Sequence, residues 1–352
     1  MKPRHLILII YLFIGFSISF FVWSLEPYSG DLTRIGGYSE NDHGWNLDRL
    51  SYTKSKVSKA SNLDDYNHPF DIVVIGDSFS DIPLNGPYDN WQEHLVRETG
   101  MSLVRFHHNQ VKPQELLDHP IYLNTPPKLL LFEVVEHGLQ DALTFLQNPK
   151  YPQVSNDFQQ ILYSKKSSEL IPMTPWPRPN NITLKFDTAV HFLKTNLKQL
   201  FSSKHKALSF QLSTPCFSSQ KRSTLLTYYG DLRRNDISEK EWDLISRRFA
   251  SLTNLLGNQK QTQVVLMFPP DKSSVYSPFI VGDHPFKPGI KRLNLSHTKT
   301  LNLLQPLQEG AKNGQLDIYL PNDTHWGSAG HKIVADAILE QLFTSLSSEQ
   351  RR

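Results

Sequence analysis

The chain has 352 residues, 39% of them hydrophobic, 20% charged and 11% aromatic, with a formal net charge of +3. That apolar fraction can fill a sizeable core, and 37 Lys and Arg against 34 Asp and Glu exclude the dense basic stripe of a dedicated nucleic-acid binder. A single cysteine, Cys216, rules out a disulfide within the chain and any all-thiolate metal site, and no fixed-period repeat marks a solenoid or propeller.

At the N-terminus, Lys2, Arg4 and His5 precede a run of 20 residues, Leu6 to Leu25, that contains no charge. A run of that length can cross a bilayer as one helix. Basic residues before it, with Glu26 and Asp31 after it, put the N-terminus in the cytoplasm. An uncleaved signal anchor is the expectation, with a cleaved signal peptide as the alternative. The apolar part of a cleaved signal is usually ~7–15 residues and ends at a small-x-small site, which Phe21 to Leu25 does not offer. Either way, residues beyond about Glu26 face the extracytoplasmic side.

Residues 27–68 are polar and without periodicity, and read as a tether. A buried strand follows at Phe70 to Ile75, stopped by Gly76. Trp91 to Thr99 reads as a helix closed by Gly100, Leu103 to Phe106 as a second strand, and Leu129 to Val135 as a third. Residues 148–237 interrupt the alternation with Pro172, Pro175, Pro177 and Pro179 and a helix-like stretch near Thr188 to Leu200, as an insertion or lid would. Ser238 and Glu241 then form a capping box, and Trp242, Ile245, Phe249, Leu252 and Leu256 give a helix its apolar face before Gly257. Val264 to Phe268 is a further buried strand, Leu316 to Leu320 a short one, and Gly330 to Leu342 a closing helix. Apolar strands separated by helices predict one α/β domain over 69–346, a parallel sheet covered by helices on both faces.

Two motifs carry chemistry. Gly76-Asp77-Ser78-Phe79-Ser80 follows the first strand, at the carboxyl edge where α/β sheets place ligands, and a helix start after Ser78 offers backbone N–H groups to an oxyanion. Asp323-Thr324-His325-Trp326, followed by Gly327, Gly330 and His331, stands near the C-terminus. Serine becomes a nucleophile when a histidine takes its proton, and the histidine needs a carboxylate to fix its tautomer. Residues i and i+2 of an extended segment share a side, so Asp323 and His325 can lie together. No HExxH or comparable short metal spacing occurs among the 14 histidines, so no metal and no cofactor is expected; a metal-dependent hydrolase would have to draw on His107, His108 and His325.

The combination of GDSFS after a first strand with a C-terminal DTHWGSAGH resembles the SGNH (GDSL-type) hydrolase superfamily, and the DTHW form is similar to its alginate-type O-acetyltransferase branch. Pro127 to Leu139 resembles that branch's Glu-x-x-Glu-Arg strand, with His137 in place of the arginine, and Phe268 to Tyr276 its segment carrying a Lys and a Tyr. The resemblance implies a flavodoxin-like three-layer fold, Ser78 as nucleophile, His325 as base and Asp323 as its orienter. Asp77, Asn109, Glu133, Glu136, Lys272, Tyr276 and Trp326 are the oxyanion or substrate-binding candidates, and all but Asn109 have a structural reading beside it: Asp77 as a helix cap, Glu133 and Glu136 as structural hydrogen-bond groups, Lys272 as a solvent-facing loop residue, Tyr276 as a packed ring and Trp326 as part of the core. The superfamily's block glycine and its Gly-x-Asn-Asp motif are absent, which leaves the Ser78 amide, with Asn109, as the oxyanion donors that can be named. In the alginate enzymes the Asp-His motif precedes the serine, whereas here it follows. The function implied is transfer of an acyl group, most simply acetyl, to a cell-surface or exopolysaccharide glycan. The enzyme would be a single-pass inner-membrane protein with a periplasmic domain, working beside a membrane-bound acyl-transfer partner. A carbohydrate or lipid esterase with the same triad, and a non-catalytic glycan-binding or assembly protein, are the alternatives.

Overall fold

The computed structural model describes residues 3–24, 29–48, 50–81, 89–141, 159–163, 173–175, 185–186, 189–190, 206–257, 262–296 and 298–345. The helix-like stretch expected near Thr188 to Leu200 lies almost wholly outside them, as does most of the proline-rich part of the insertion.

Five strands form the central sheet: β1 (Val57–Lys59), β2 (Ile72–Gly76), β3 (Leu103–His107), β4 (Leu129–Glu133) and, late in the chain, β7 (Gln263–Met267). Every pairing is parallel, in the order β7-β4-β2-β3-β1. The chain leaves β2 for β3 on one side and reaches β4 on the other. That reversal puts a topological switch point at the carboxyl end of β2, where sheets of this kind bind ligands.

The three-layer arrangement follows from side-chain alternation along buried strands. Ile72, Val74, Leu129, Leu131, Val265 and Met267 face one core, with α3 (Trp91–Thr99) and α5 (Ser328–Leu342) supplying Trp91, Leu95, Val334 and Ile338. Val73, Ile75, Leu130, Phe132, Val264 and Leu266 face the other, under Trp242, Ile245, Phe249 and Leu256 of α4 (Glu239–Gly257). The capping box forms: the Glu241 amide donates to Ser238 Oγ (3.3 Å) while the Ser238 amide donates to the Glu241 carboxylate (2.8 Å). Full burial of such side chains stabilises by roughly 1.5–3 kcal/mol each.

Two expectations are corrected. Residues 29–68 are no loose tether: they carry α2 (Asp31–Gly36), a short helix Glu40–His43 and β1, and they bury Leu32, Trp45, Ala60 and Tyr66. Leu32 packs on Ala207 and Leu226, which belong to the antiparallel hairpin of β5 (Ala207–Gln211) and β6 (Thr224–Tyr228), so the ordered end of the insertion holds this segment down. Leu316 to Leu320 is not a strand; its one ladder contact is the bridge between Tyr319 and Trp326, inside its own loop.

At the N-terminus, α1 (Pro3–Ser24) runs for 22 residues. Ile7, Ile10, Tyr11, Leu12, Phe13 and Phe20 are all exposed, and at about 100° per residue they lie all round the helix. Among the described residues no helix is long and apolar enough to cross a membrane, several side chains of α1 standing outside that description.

Candidate active site

The turn that carries Ser78 is built by its own aspartate. After β2, one helical turn (Ser78–Asp81) starts abruptly: the Phe79 amide donates to Asp77 Oδ1 (3.0 Å) and the Ser80 amide to the Asp77 carbonyl (3.1 Å). The second oxygen of Asp77 accepts the Val135 amide at 2.6 Å, which fastens the turn to the chain leaving β4. Gly76 is required here for space, because a Cβ would meet the Ser80 side chain at 2.9 Å and Glu133 Oε2 at 3.1 Å. On the far side Arg105 and Gln92 both donate to the Ser80 carbonyl. Ser78 itself is half-buried.

The second loop folds back on itself. The Leu320 amide donates to the His325 carbonyl (3.0 Å), the Asp323 amide to the Leu320 carbonyl (3.2 Å) and the Gly327 amide to the Ile318 carbonyl (2.9 Å). Asp323 Oδ1 accepts from the His325 backbone amide at 3.0 Å and stands 2.7 Å from its Nδ1. The two loops meet through aromatic packing: Phe79 lies 4.9 Å from the His325 ring and 4.7 Å, edge-on, from Trp326.

The outcome is a relay. His325 Nε2 lies 2.8 Å from Ser78 Oγ, across 247 positions of sequence, and its Nδ1 lies 2.7 Å from Asp323. With the carboxylate accepting at Nδ1–H, Nε2 is the free lone pair, which is the tautomer that can receive the serine proton. Burial works against an imidazolium at His325, but Asp323 outweighs it and raises the group above the ordinary histidine value. Asp323 is lowered in turn: burial opposes its charge, and the His325 contact with two backbone amides, those of His325 and Asp31, more than offsets it.

Asp31 is the residue that sequence reasoning missed. Its amide, at the start of α2, donates to Asp323 Oδ2 at 2.7 Å, so both oxygens of the triad carboxylate are held. Its side chain, paired with Arg34, stands in a group with Asp323 and His325 whose oxygen and nitrogen atoms all lie within 4.8 Å of one another. Nothing in the polar, aperiodic run around Asp31 announced this.

The supporting candidates take their structural readings, except that Lys272 is buried instead of facing solvent. Glu133, Glu136, Lys272, Tyr276 and Trp326 are all 2% exposed or less, so none lines a cleft. Lys272 Nζ instead donates to the carbonyls of Leu320 (2.7 Å), Pro321 (2.9 Å) and Asp323 (3.1 Å), clamping the histidine loop from behind. Burial pulls its ammonium down to about 7, although three carbonyls match the three donors of the charged form. Tyr276 accepts the Tyr319 amide through its hydroxyl (3.4 Å). Glu136 accepts the Asp271 amide (2.8 Å) and belongs to a buried ion network with Arg234 and Asp271, on which His137 also docks. Asp271 and Asp231 hold His137 at about 9 against burial.

Glu133 is the most unusual of these groups. Fully buried, it accepts from Ser80 Oγ and faces Asp77; burial and that second carboxylate push it well above the usual carboxylate range. Burial and the neighbouring Asp77 thus favour its protonated form, which can donate to Asp77 beneath the turn that carries Ser78.

For the oxyanion, the Ser78 amide opens a helical turn and so has no partner within it. Asn109 lies exposed on the turn after β3, its amide donating to His107 Nδ1 (3.2 Å) while the neighbouring His108 amide donates to the Gly76 carbonyl (2.8 Å). That contact puts the turn beside the nucleophile. The groups of His, Cys, Asp and Glu that could hold an ion, among the described residues, are Asp31/Asp323/His325 and His137/Asp231/Asp271; His107 and His108 belong to neither.

No family model, curated protein or solved structure matches this chain.

Proposed function

We propose that the protein is a serine-dependent acyltransferase of the SGNH type, moving a small acyl group, most simply acetyl, onto a glycan hydroxyl. The observation that carries the reading is the continuous relay from Ser78 Oγ through His325 to Asp323, with gaps of 2.8 and 2.7 Å. Ser78 Oγ attacks the carbonyl carbon of the acyl donor while His325 Nε2 takes its proton. The oxyanion that forms takes a hydrogen bond from the Ser78 amide. As the intermediate collapses, the bond from the acyl carbon to the donor breaks and His325 returns the proton to the leaving group. The acyl-serine is then attacked by a sugar hydroxyl whose proton passes to His325, and the bond from the acyl carbon to Ser78 breaks as His325 hands that proton to Oγ. Water in place of the sugar gives an esterase through the same atoms.

The proposal places α1 in a membrane as a single-pass anchor, with the catalytic domain on the extracytoplasmic side, beside a membrane-bound acyl donor system. The uncharged run Leu6 to Leu25 supports that placement, and α1, 22 residues or about 33 Å long, covers nearly all of it.

The test is trapping. Incubation of the full chain with a serine-directed phosphonate should leave one adduct, located at Ser78 by mass spectrometry and lost in His325→Ala. Acyl transfer to a glycan acceptor should vanish in Ser78→Ala. Unchanged glycan acylation by a folded Ser78→Ala protein would overturn the enzyme reading in favour of a binding or assembly role.

A further inference from the structure

The Asp323 carboxylate is held by a segment that contributes no side chain to the relay. Asp323 Oδ2 accepts the Asp31 amide (2.7 Å), and the adjacent Asn322 carbonyl accepts the amides of Leu32 (2.9 Å) and Thr33 (3.4 Å). Asn322 Nδ2 donates to Ser29 Oγ (2.7 Å) and to Glu40 Oε1 (2.5 Å), and Thr33 Oγ1 donates to the other oxygen of Glu40 (2.7 Å). Asn322 is fully buried and Glu40 is 5% exposed, so these bonds are shielded from water. The fit is tight: a Cβ on Gly30 would fall 2.2 Å from the Asn322 carbonyl oxygen, a contact that backbone cannot yield to.

We infer that Ser29–Glu40 is a positioning element of the catalytic centre, holding Asp323 through the Asp31 amide in the orientation that serves His325. An unheld carboxylate rotates about its last torsion and trades its His325 contact for others; with Oδ2 fixed, Oδ1 stays on Nδ1. The segment that leads out of α1 is thereby part of the catalytic machinery. The inference rests on the acyl-transfer reading for its kinetic consequences, and on the hydrogen bonds alone for its structural one.

The charged and titratable groups around the pair are Asp31 and Arg34 of α2, Asp77 of the nucleophile turn, Lys272 behind the loop, and Glu40 beyond Asn322. Displacing α2 weakens the support that Asp323 gives His325, and the acid limb of the activity profile then moves to lower pH. In the full chain, Gly30→Ala and Glu40→Gln are expected to lower kcat for ester turnover by about 10- to 100-fold, the scale of a small misplacement, with KM nearly unchanged. Asn46→Ala, which removes a contact to the Ser218 carbonyl farther along the same segment, keeps the wild-type limb.

A proton spectrum gives an independent readout: the downfield His325 Nδ1–H resonance should shift or broaden in both variants. A folded Gly30→Ala protein with wild-type kcat, limb and resonance would overturn the inference, as would an equal kcat loss in Asn46→Ala with no movement of the limb. If Gly30→Ala does not fold, Glu40→Gln decides by the same criteria. If the wild type shows no Ser78-dependent turnover, the acyl reading falls, and the resonance alone judges the positioning role.

Discussion

Asp323→Asn tests the relay where the structure is least forgiving. Oδ1 of Asp323 faces two donors on His325, the backbone amide at 3.0 Å and Nδ1 at 2.7 Å, and Oδ2 faces a third, the Asp31 amide at 2.7 Å. A carboxylate accepts from all three. An asparagine has one oxygen and one NH2, so either orientation turns donor against donor. With NH2 towards His325, Nδ1 must accept, the ring proton moves to Nε2, and no lone pair remains for Ser78. With NH2 towards Asp31, the loop gives up the bond that holds it, and His325 loses its negative neighbour in either case. A wrong tautomer in such a triad costs about 10⁴ in kcat, or ~5.4 kcal/mol at 1.36 kcal/mol per tenfold. The wild-type acid limb should lie above the ordinary histidine value, because below the raised pKa the imidazole already holds its proton and cannot accept another. In Asp323→Asn the carboxylate's contribution is gone while burial remains, so the limb should move down even as the plateau collapses. The assay is kcat/KM for p-nitrophenyl acetate across pH 4–9. A variant within tenfold of wild type, with an unmoved limb, would refute the relay.

Glu133→Gln should retain fold and most activity, since the neutral amide can donate to Asp77 as the protonated acid does; Glu133→Ala should lose at least ~2 kcal/mol in urea melts by opening a void and stranding Asp77. A carboxylic-acid band in isotope-edited infrared spectra at pH 7, lost in Glu133→Gln, checks the protonation directly, and an ionised Glu133 would contradict it. Lys272→Met removes the donors of three buried carbonyls and should cost about 3–5 kcal/mol together with a marked fall in kcat, read from denaturant melts and single-turnover rates. Wild-type stability in that variant would show that the loop needs no clamp.

Much of the sheet was legible because strands buried on both faces leave unbroken apolar runs, and the stops at Gly76 and Gly100 sit where the structure ends β2 and α3. Ser78, His325 and Asp323 were legible because a proton relay admits few side-chain types. The segment after α1 was not legible: its own amides donate to acceptors on the 322–323 loop, and its buried side chains, Leu32, Trp45, Ala60 and Tyr66, fall at no regular spacing that would mark an apolar face. Lys272 and Tyr276 misled for a related reason. The resemblance offered them as substrate groups, yet what buries them is a set of backbone partners around residue 320 that no composition records. Leu316 to Leu320 has the apolar content of a strand, but the Leu320 amide is taken by the His325 carbonyl, so the segment builds the catalytic loop instead of joining the sheet.

The position of α2 also constrains where the proposed acyltransferase can work once α1 is taken as an anchor. Ser24 ends α1 and Asp31 begins α2, seven positions on (31 minus 24), a span of at most ~25 Å of chain. Because Asp31 bonds directly to Asp323, that limit applies to the catalytic loop itself and not merely to the edge of the domain. Acceptor hydroxyls must then come to within about 25 Å of the bilayer surface, as they do on a glycan emerging from the membrane and do not on a distant polymer. Inserting 20 Gly and Ser residues after Pro27 adds roughly 25 Å of root-mean-square reach and leaves every contact of α2 in place. Turnover of a soluble ester should be unchanged by the insertion, whereas acylation of glycan in cells should fall several-fold as the site drifts from the surface. Equal cellular acylation by the spacer variant would mean that the short connection serves only to dock Asp31 and sets no working distance.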